Sequence, residues 1–390
     1  MNAVQRDQLQ ALLALASRHA PGAEFLEHDP ELVLFGAGGR GRRVLSGLRD
    51  IGIVPRCFTD NQPSSWGSEV QGLTVLQPAT AAKVFPGAVF IATIWSDRLG
   101  HPLSAVRSQL ANFGIERVAS FTALYDKYPE TFFPDFFLDR LATAATECAA
   151  IVDATDIWAG TESVDEFLAQ VALRLTLDFA HVEHASCDYP PYFPPDLFEL
   201  SDHETFVDCG AYDGDNYHDF ERITGGRFRR YIALEPDAEN FRKLEERIAS
   251  TPREAESHKV RLLHCALSER RGTLRFTADG STESRVSTQG TQEIPCAPLD
   301  ELLAEETPTY VKMDIEGAEA AALRGACGTL ARHRPILAVA AYHRMTDLWR
   351  LPLLMANLVE GYAFFLRPEK KAGWDLICYA VPVERLKRAT

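Results

Sequence analysis

Asp208-x-Gly210-x-x-x-Gly214 follows the apolar pair Phe206-Val207, and a second apolar run, Tyr231 to Leu234, ends on Glu235 and Pro236. A glycine loop at one strand end and a carboxylate at the next are how an α/β sheet holds a nucleoside. The glycines let the backbone approach the ligand, and the second acid accepts from the two ribose hydroxyls. The spacing is not the dinucleotide spacing Gly-x-Gly-x-x-Gly. Further on, Asp314 and Glu316 end the run Tyr310 to Met313, ahead of Glu319. Two acids so close can supply a general base, a metal-binding pair or an anchor for substrate hydroxyls; alternatively, one caps the following helix, whose N-terminus favours negative charge. Lys312 alternates to the opposite face and reads as structural. His343 closes the next apolar run and is a candidate base, since imidazole titrates near neutral pH, although a lone histidine is more often structural.

A second glycine loop stands near the start of the chain. Gly36, Gly38 and Gly41 have dinucleotide spacing, and Asp60 lies about twenty residues on, where an NAD ribose acid would sit. On motif logic alone this is an NAD site. The alternatives are a nucleotide-sugar or other substrate site, or a scaffold that has lost its ligand.

The elements that must position these residues alternate in type. Leu9, Leu12, Leu13 and Ala16 share one face of a helix over residues 1–20. Strands at 31–35, 54–58, 73–76, 88–94 and 117–120 alternate with helices at 42–51 and 102–113, which predicts a parallel sheet and a Rossmann-like domain over 1–125. Residues 126–200 read as a helical connector, with helices at 139–153 and 164–180. The segment Tyr189 to Pro195 is a rigid lid or brace, because its prolines lack donors. Residues 201–390 form a second α/β unit, with strands at 206–209, 231–234, 260–265, 310–313 and 336–341 and a closing antiparallel pair at 362–366 and 376–381.

Bulk properties narrow the class. With 390 residues the chain has room for two or three domains. Hydrophobic residues are 46% and charged residues 24%, as in a soluble globular protein, and the formal net charge of −15 argues against a nucleic-acid partner. Eight scattered cysteines show no ligand spacing, so neither a disulfide framework nor a zinc site is expected. No apolar run reaches the ~20 residues of a membrane span, and a cytoplasmic location follows by default.

The loop at Asp208 to Gly214 looks like the S-adenosylmethionine (SAM) loop of class I methyltransferases. The C-terminal half, roughly residues 200 to 381, resembles the FkbM family of SAM-dependent methyltransferases. The matching stretches are Phe206 to Asp215, Leu234-Glu-Pro236, Cys265-Ala-Leu-Ser268 with Gly272 and Phe276, Pro298-Leu-Asp300, and Tyr310 to Glu319. The resemblance implies a class I methyltransferase fold, SAM as cofactor, and methyl transfer, usually to an oxygen of a sugar, polyketide or related metabolite. It implies that Asp208 and Gly210 line the methionine end, with Gly214 in the same loop. Glu235 then binds the ribose, and Cys265 and Ala266 lie at the adenine edge. Asp314, Glu316 and His343 are the candidate catalytic residues, and no metal is assigned. Many relatives carry an acid just before the histidine, where this chain has Tyr342. The first domain resembles the sugar-nucleotide-binding domains of sugar-modifying enzymes, through Phe58 to Pro63, Trp66-Gly67 and Gly72 to Pro78. The expectation is two Rossmann-like units joined by a helical connector, acting as a SAM-dependent O-methyltransferase on a sugar or other hydroxylated acceptor, possibly nucleotide-linked. An NAD-linked oxidoreductase and a non-catalytic carbohydrate-binding module are the alternatives.

Overall fold

The computed structural model describes residues 7, 10–11, 14, 20–95, 103–182, 187–250, 259–277, 285–286, 290, 292–370 and 373–387. Two compact units emerge: Met1–Cys148 with Phe167–Ser186 and Lys370–Trp374, and Ala149–Glu166 with Cys187–Glu369 and Asp375–Thr390. The stretch 126–200 is therefore shared between the units. The helix expected over 1–20 lies largely outside the described residues.

In the first unit the strands are β1 (Leu32–Phe35), β2 (Cys57–Thr59), β3 (Glu69–Val70), β4 (Leu73–Leu76), β5 (Val89–Ala92) and β6 (Val118–Ser120). Their order is β3-β4-β2-β1-β5-β6. Every pairing is parallel except that of β3 with β4. β1, β2, β5 and β6 are buried throughout, which is why they read as unbroken apolar runs. The helix after the glycine loop is Gly39–Asp50.

The second unit holds β7 (Thr205–Cys209), β8 (Arg230–Leu234), β9 (Val260–Leu263), β10 (Ala266–Leu267), β11 (Gly272–Thr277), β12 (Arg285–Val286), β13 (Gln292–Ala297), β14 (Tyr310–Met313), β15 (Ile336–Ala340), β16 (Tyr362–Pro368) and β17 (Leu376–Pro382). Seven strands form the main sheet, in the order β16-β17-β15-β14-β7-β8-β9. The five from β15 to β9 are parallel, and β16 and β17 add the antiparallel hairpin at one edge. This is the mostly parallel α/β fold that the sequence predicts. Phe206 of β7 stacks on Tyr310 of β14 with ring centroids 4.9 Å apart. Each such buried aromatic contributes about 1.5–3 kcal/mol, so the pair helps fix these strands as neighbours.

The small sheet β10-β13-β11-β12 was not foreseen. Two of its strands have two residues, and Pro295 interrupts the pattern of a third. Since β9 ends at Leu263, Cys265 falls in the turn before β10 and outside the strand expected to contain it. All eight cysteines are free. Among the described residues no helix is long and apolar enough to cross a membrane.

Candidate active site

The second sheet runs β7, β8, β9 in one direction, and β14 then returns to the other side of β7. That reversal makes a switch point between β7 and β14, where open α/β sheets bind ligands at the carboxyl ends of the strands. The predicted residues follow the strand ends in spatial order. His343 comes after β15, Asp314 after β14, Gly210 after β7, Glu235 after β8, and Cys265 after β9.

Gly210 is required by geometry. Its φ is +80°, and a Cβ there would collide with the carbonyl oxygen of Asp314. The loop and the acid-bearing strand end are therefore in backbone contact. The amides of Gly210 and Ala211 both donate to Leu234 O, at 2.9 and 3.1 Å. Gly214 precedes the helix Asp215–Thr224 as its N-cap.

Asp208 departs from its expected contact with the methionine end. It is fully buried, accepts the Tyr231 hydroxyl at 2.8 Å, and lies 3.0 Å from Lys312 Nζ. Lys312, its register partner on β14, also donates to Gly210 O at 2.7 Å. Burial opposes the charge on Lys312, but Asp208 outweighs it and raises the ammonium above its ordinary value. With its oxygens engaged inside the sheet, Asp208 holds the loop through Lys312 and offers no face to a ligand.

Glu235 caps β8 with its carboxylate almost wholly buried. Oε2 accepts Tyr212 N at 2.9 Å and Oε1 accepts Asp237 N at 2.8 Å. Burial raises its pKa to about 7, partly offset by those amides. Each oxygen retains acceptor capacity, so the group can still receive two hydroxyls. Cys265 Sγ rests 3.2 Å from Ala266 O and 3.4 Å from Pro295 O, and burial pushes its thiol up. Ala266 is buried in β10 beside Cys296. The close glycine turn and the buried acceptor on the neighbouring strand fit the nucleoside and methionine ends of SAM.

Asp314, Glu316 and His343 converge. One ligand atom from each lies within 4.8 Å of the others. His343 Nε2 is 3.2 Å from Asp314 Oδ1 and 3.5 Å from Glu316 Oε1, while Nδ1 is 3.0 Å from Glu319 Oε1. Burial would lower the histidine, but the carboxylates of Glu319, Asp314 and Glu316 hold it well above its ordinary value. The imidazole expected as a base is thus enclosed by three carboxylates. Burial would raise Asp314, yet His343, Lys312 and Tyr192 hold its carboxyl well below the usual range. Burial raises Glu316 despite His343. Glu316 takes φ +54°, a left-handed conformation uncommon for a residue with a Cβ. Glu319 Oε1 braces the turn by accepting Ile315 N at 2.9 Å and Gly317 N at 3.3 Å.

Two tyrosines complete the cluster. Tyr192 donates to Asp314 Oδ2 at 2.6 Å, and the Tyr342 hydroxyl is 3.4 Å from Oδ1. Tyr192 comes from the proline-rich segment read as a lid or brace, and its amide is held by both oxygens of Glu369, at 2.8 and 2.9 Å. Its local sequence signalled rigidity; that it reaches Asp314 is visible only in the fold.

In the first unit, the Gly36 loop also lies at a switch point, between β1 and β5. A Cβ at Gly41 would strike the Gly36 carbonyl, whereas Gly38 has open space before it. Thr93, after β5, donates to Gly36 O at 2.8 Å. Asp60 accepts the amides of Ala37 and Gln62, each at 2.9 Å, and so braces the loop. Arg40, on the helix that follows, pairs with Asp135 and lies over the Trp95 ring, 4.5 Å from its centroid.

Comparison with known proteins agrees with the second unit's geometry. Residues 208–366 match the family model described as the methyltransferase FkbM domain. No curated protein matches the chain. Among solved structures, methyltransferase FkbM from Methylobacillus flagellatus KT is similar over 96% of this chain and 99% of its own, with TM-score 0.82 and 23% identity. That likeness shows a shared fold. Fibrillarin from Aeropyrum pernix, solved with SAM, is 14% identical over 47% of this chain and 69% of its own, with TM-score 0.30. By the family model, residues 208–366 are a methyltransferase domain of the FkbM type, with SAM as its cofactor.

Proposed function

We propose that the chain transfers a methyl group from SAM to a hydroxyl of a sugar or another polyhydroxylated metabolite. The observation that carries this reading is the contact of Gly210 with the Asp314 backbone, which sets the cofactor loop directly beside a cluster of carboxylates. Bound SAM supplies an electrophilic methyl carbon on a sulfonium. The protein's task is then mainly to place an oxygen in line with that carbon and to receive its proton. Asp314 already engages Tyr192, Tyr342 and His343, whereas among the described residues Glu316 pairs only with His343. Glu316 is thus the carboxylate best able to take the proton from the acceptor oxygen, with Asp314 orienting the hydroxyl. Two or more adjacent hydroxyls would suit so many acceptor oxygens, which favours a sugar. The Gly36 loop, with open space before Gly38, is proposed as a separate nucleotide or nucleotide-sugar site of the first unit. Eight free thiols accord with a reducing, cytoplasmic setting.

The test is methyl transfer from labelled SAM to a panel of sugars, nucleotide sugars and amines, with products mapped by NMR. Glu316→Gln is expected to lower turnover by about 10²–10⁴-fold while SAM affinity is retained. Products methylated on nitrogen or carbon, or a Glu316→Gln variant with full turnover, would overturn the reading.

A further inference from the structure

We propose that Asp314, Glu316 and His343 form a binding site for one divalent transition-metal ion, with Mn²⁺ the best match. The inference deepens the proposed function, since it rests on that reading for the ion's role in holding the acceptor. The binding itself is argued from four features of the site.

First, the spacing suits coordination. At the ~2.1 Å bond lengths usual for such ions, adjacent ligands of an octahedron lie about 3.0 Å apart. His343 Nε2 lies 3.2 Å from Asp314 Oδ1 and 3.5 Å from Glu316 Oε1. Second, the histidine is oriented from behind. Its side chain is 3% exposed, and Nδ1 faces Glu319 Oε1 at 3.0 Å, leaving Nε2 aimed into the carboxylates. A ligating histidine ordinarily gives its other N–H to a carboxylate in this manner, which fixes both ring and tautomer. Glu319 is a positioning residue in this scheme. Nε2 makes no well-aligned hydrogen bond, so it is buried among the carboxylates without the partner that a purely structural histidine acquires.

Third, the charge is unbalanced. The carboxylates of Asp314, Glu316 and Glu319 face one imidazole, and the nearby Lys312 is directed to Asp208 and the Gly210 carbonyl. Fourth, Asp314 is itself steadied by the Tyr192 hydroxyl at 2.6 Å, as ligating carboxylates commonly are. Two carboxylates with one imidazole combine the ligands that suit Mn²⁺ with one that also suits Zn²⁺ or Fe²⁺, and pure oxygen sites of the Mg²⁺ kind lack the imidazole. Three protein ligands leave coordination positions for two adjacent oxygens of an acceptor. A carboxylate that binds through one oxygen keeps its second for a proton, so the ion and the proton-accepting role of Glu316 are compatible.

The experiment uses the full chain, stripped with chelator, without SAM or acceptor. Mn²⁺ is titrated in, and the free ion is read by electron paramagnetic resonance. The expected result is one bound ion per chain, with affinity falling at least about tenfold in Asp314→Asn, in Glu316→Gln and in Glu319→Gln. Pulsed measurement on the wild type should show a nitrogen coupled to the bound Mn²⁺, a signal that needs no variant to fold. Absence of stoichiometric binding, or binding without nitrogen coupling that survives Asp314→Asn, overturns the proposal. SAM binding is titrated calorimetrically on the same stripped protein. Its loss would refute the methyltransferase reading, and a failed Mn²⁺ titration would leave that reading standing.

Discussion

If Glu235 receives the ribose hydroxyls as proposed, cofactor affinity depends on pH, and the size of the effect follows from its surroundings. Burial raises its carboxyl to about 7, above the 4.5 of a free glutamate. Ribose hydroxyls donate to the ionised form, so binding favours loss of the proton. A group with a pKa near 7 is about 9% ionised at pH 6 and about 91% at pH 8. If the bound carboxylate stays ionised throughout, affinity rises about tenfold over that interval, or about 1.4 kcal/mol. The ligand of choice is the demethylated cofactor, which does not turn over. Calorimetry at pH 6 in two buffers of different ionisation enthalpy should show release of about 0.9 proton per ligand bound. Glu235→Gln keeps the shape but has nothing to ionise, and its amide group cannot accept the N–H of both Tyr212 and Asp237. It should bind more weakly and without dependence on pH. A flat affinity in the wild type with no proton released, or a tenfold slope surviving in Glu235→Gln, would refute the reasoning.

Other substitutions probe the frame around the site. Asp208→Asn strands the fully buried ammonium of Lys312 and should cost about 3–5 kcal/mol in urea unfolding; adding Lys312→Met should recover part of the loss, and a cost below about 1 kcal/mol would count against the pairing. Gly210→Ala combines a φ of +80° with a collision at the Asp314 carbonyl, so SAM binding should be lost and the melting temperature lowered; unchanged binding would mean that the loop adopts another path. Glu369 has its carboxyl raised to about 8 by burial. Because the folded value exceeds the unfolded one, its stabilising contribution is complete below about pH 4.5 and is lost as pH rises through 8. Wild-type stability should therefore fall from pH 6 to pH 8 by up to about 1.4 kcal/mol per unit, and Glu369→Gln should flatten that slope in thermal melts.

What could be read from the sequence was what depends on neighbours along the chain. Buried parallel strands are continuous apolar runs that stop at glycine or an acid, so β7, β8 and β14 were legible with Gly210, Glu235 and Asp314 at their ends. The closing hairpin was legible for the same reason, as two long apolar runs. Whatever depends on register across the sheet was hidden. Asp208 looked like a ligand contact until β7 and β14 were aligned and Lys312 appeared opposite it. His343 looked like a free imidazole because the acids around it lie 24 to 29 positions earlier in the chain. The long helix expected over 139–153 is two pieces, Leu141–Thr146 and Cys148–Thr155; the break near Glu147 carries no glycine or proline to announce it.

Tyr192 bears on how this protein could be recombined. Its amide is tied to Glu369 at the end of the hairpin, its carbonyl receives the Tyr310 hydroxyl, and its own hydroxyl reaches Asp314. The recognisable family segment begins only at residue 208. A chimaera spliced at that point would inherit the whole matched segment of the methyltransferase and discard the tyrosine that steadies its central acid. Exchange of this module between proteins, by evolution or in the laboratory, should succeed only at a junction upstream of residue 187, so the heritable unit is larger than the sequence signature that identifies it.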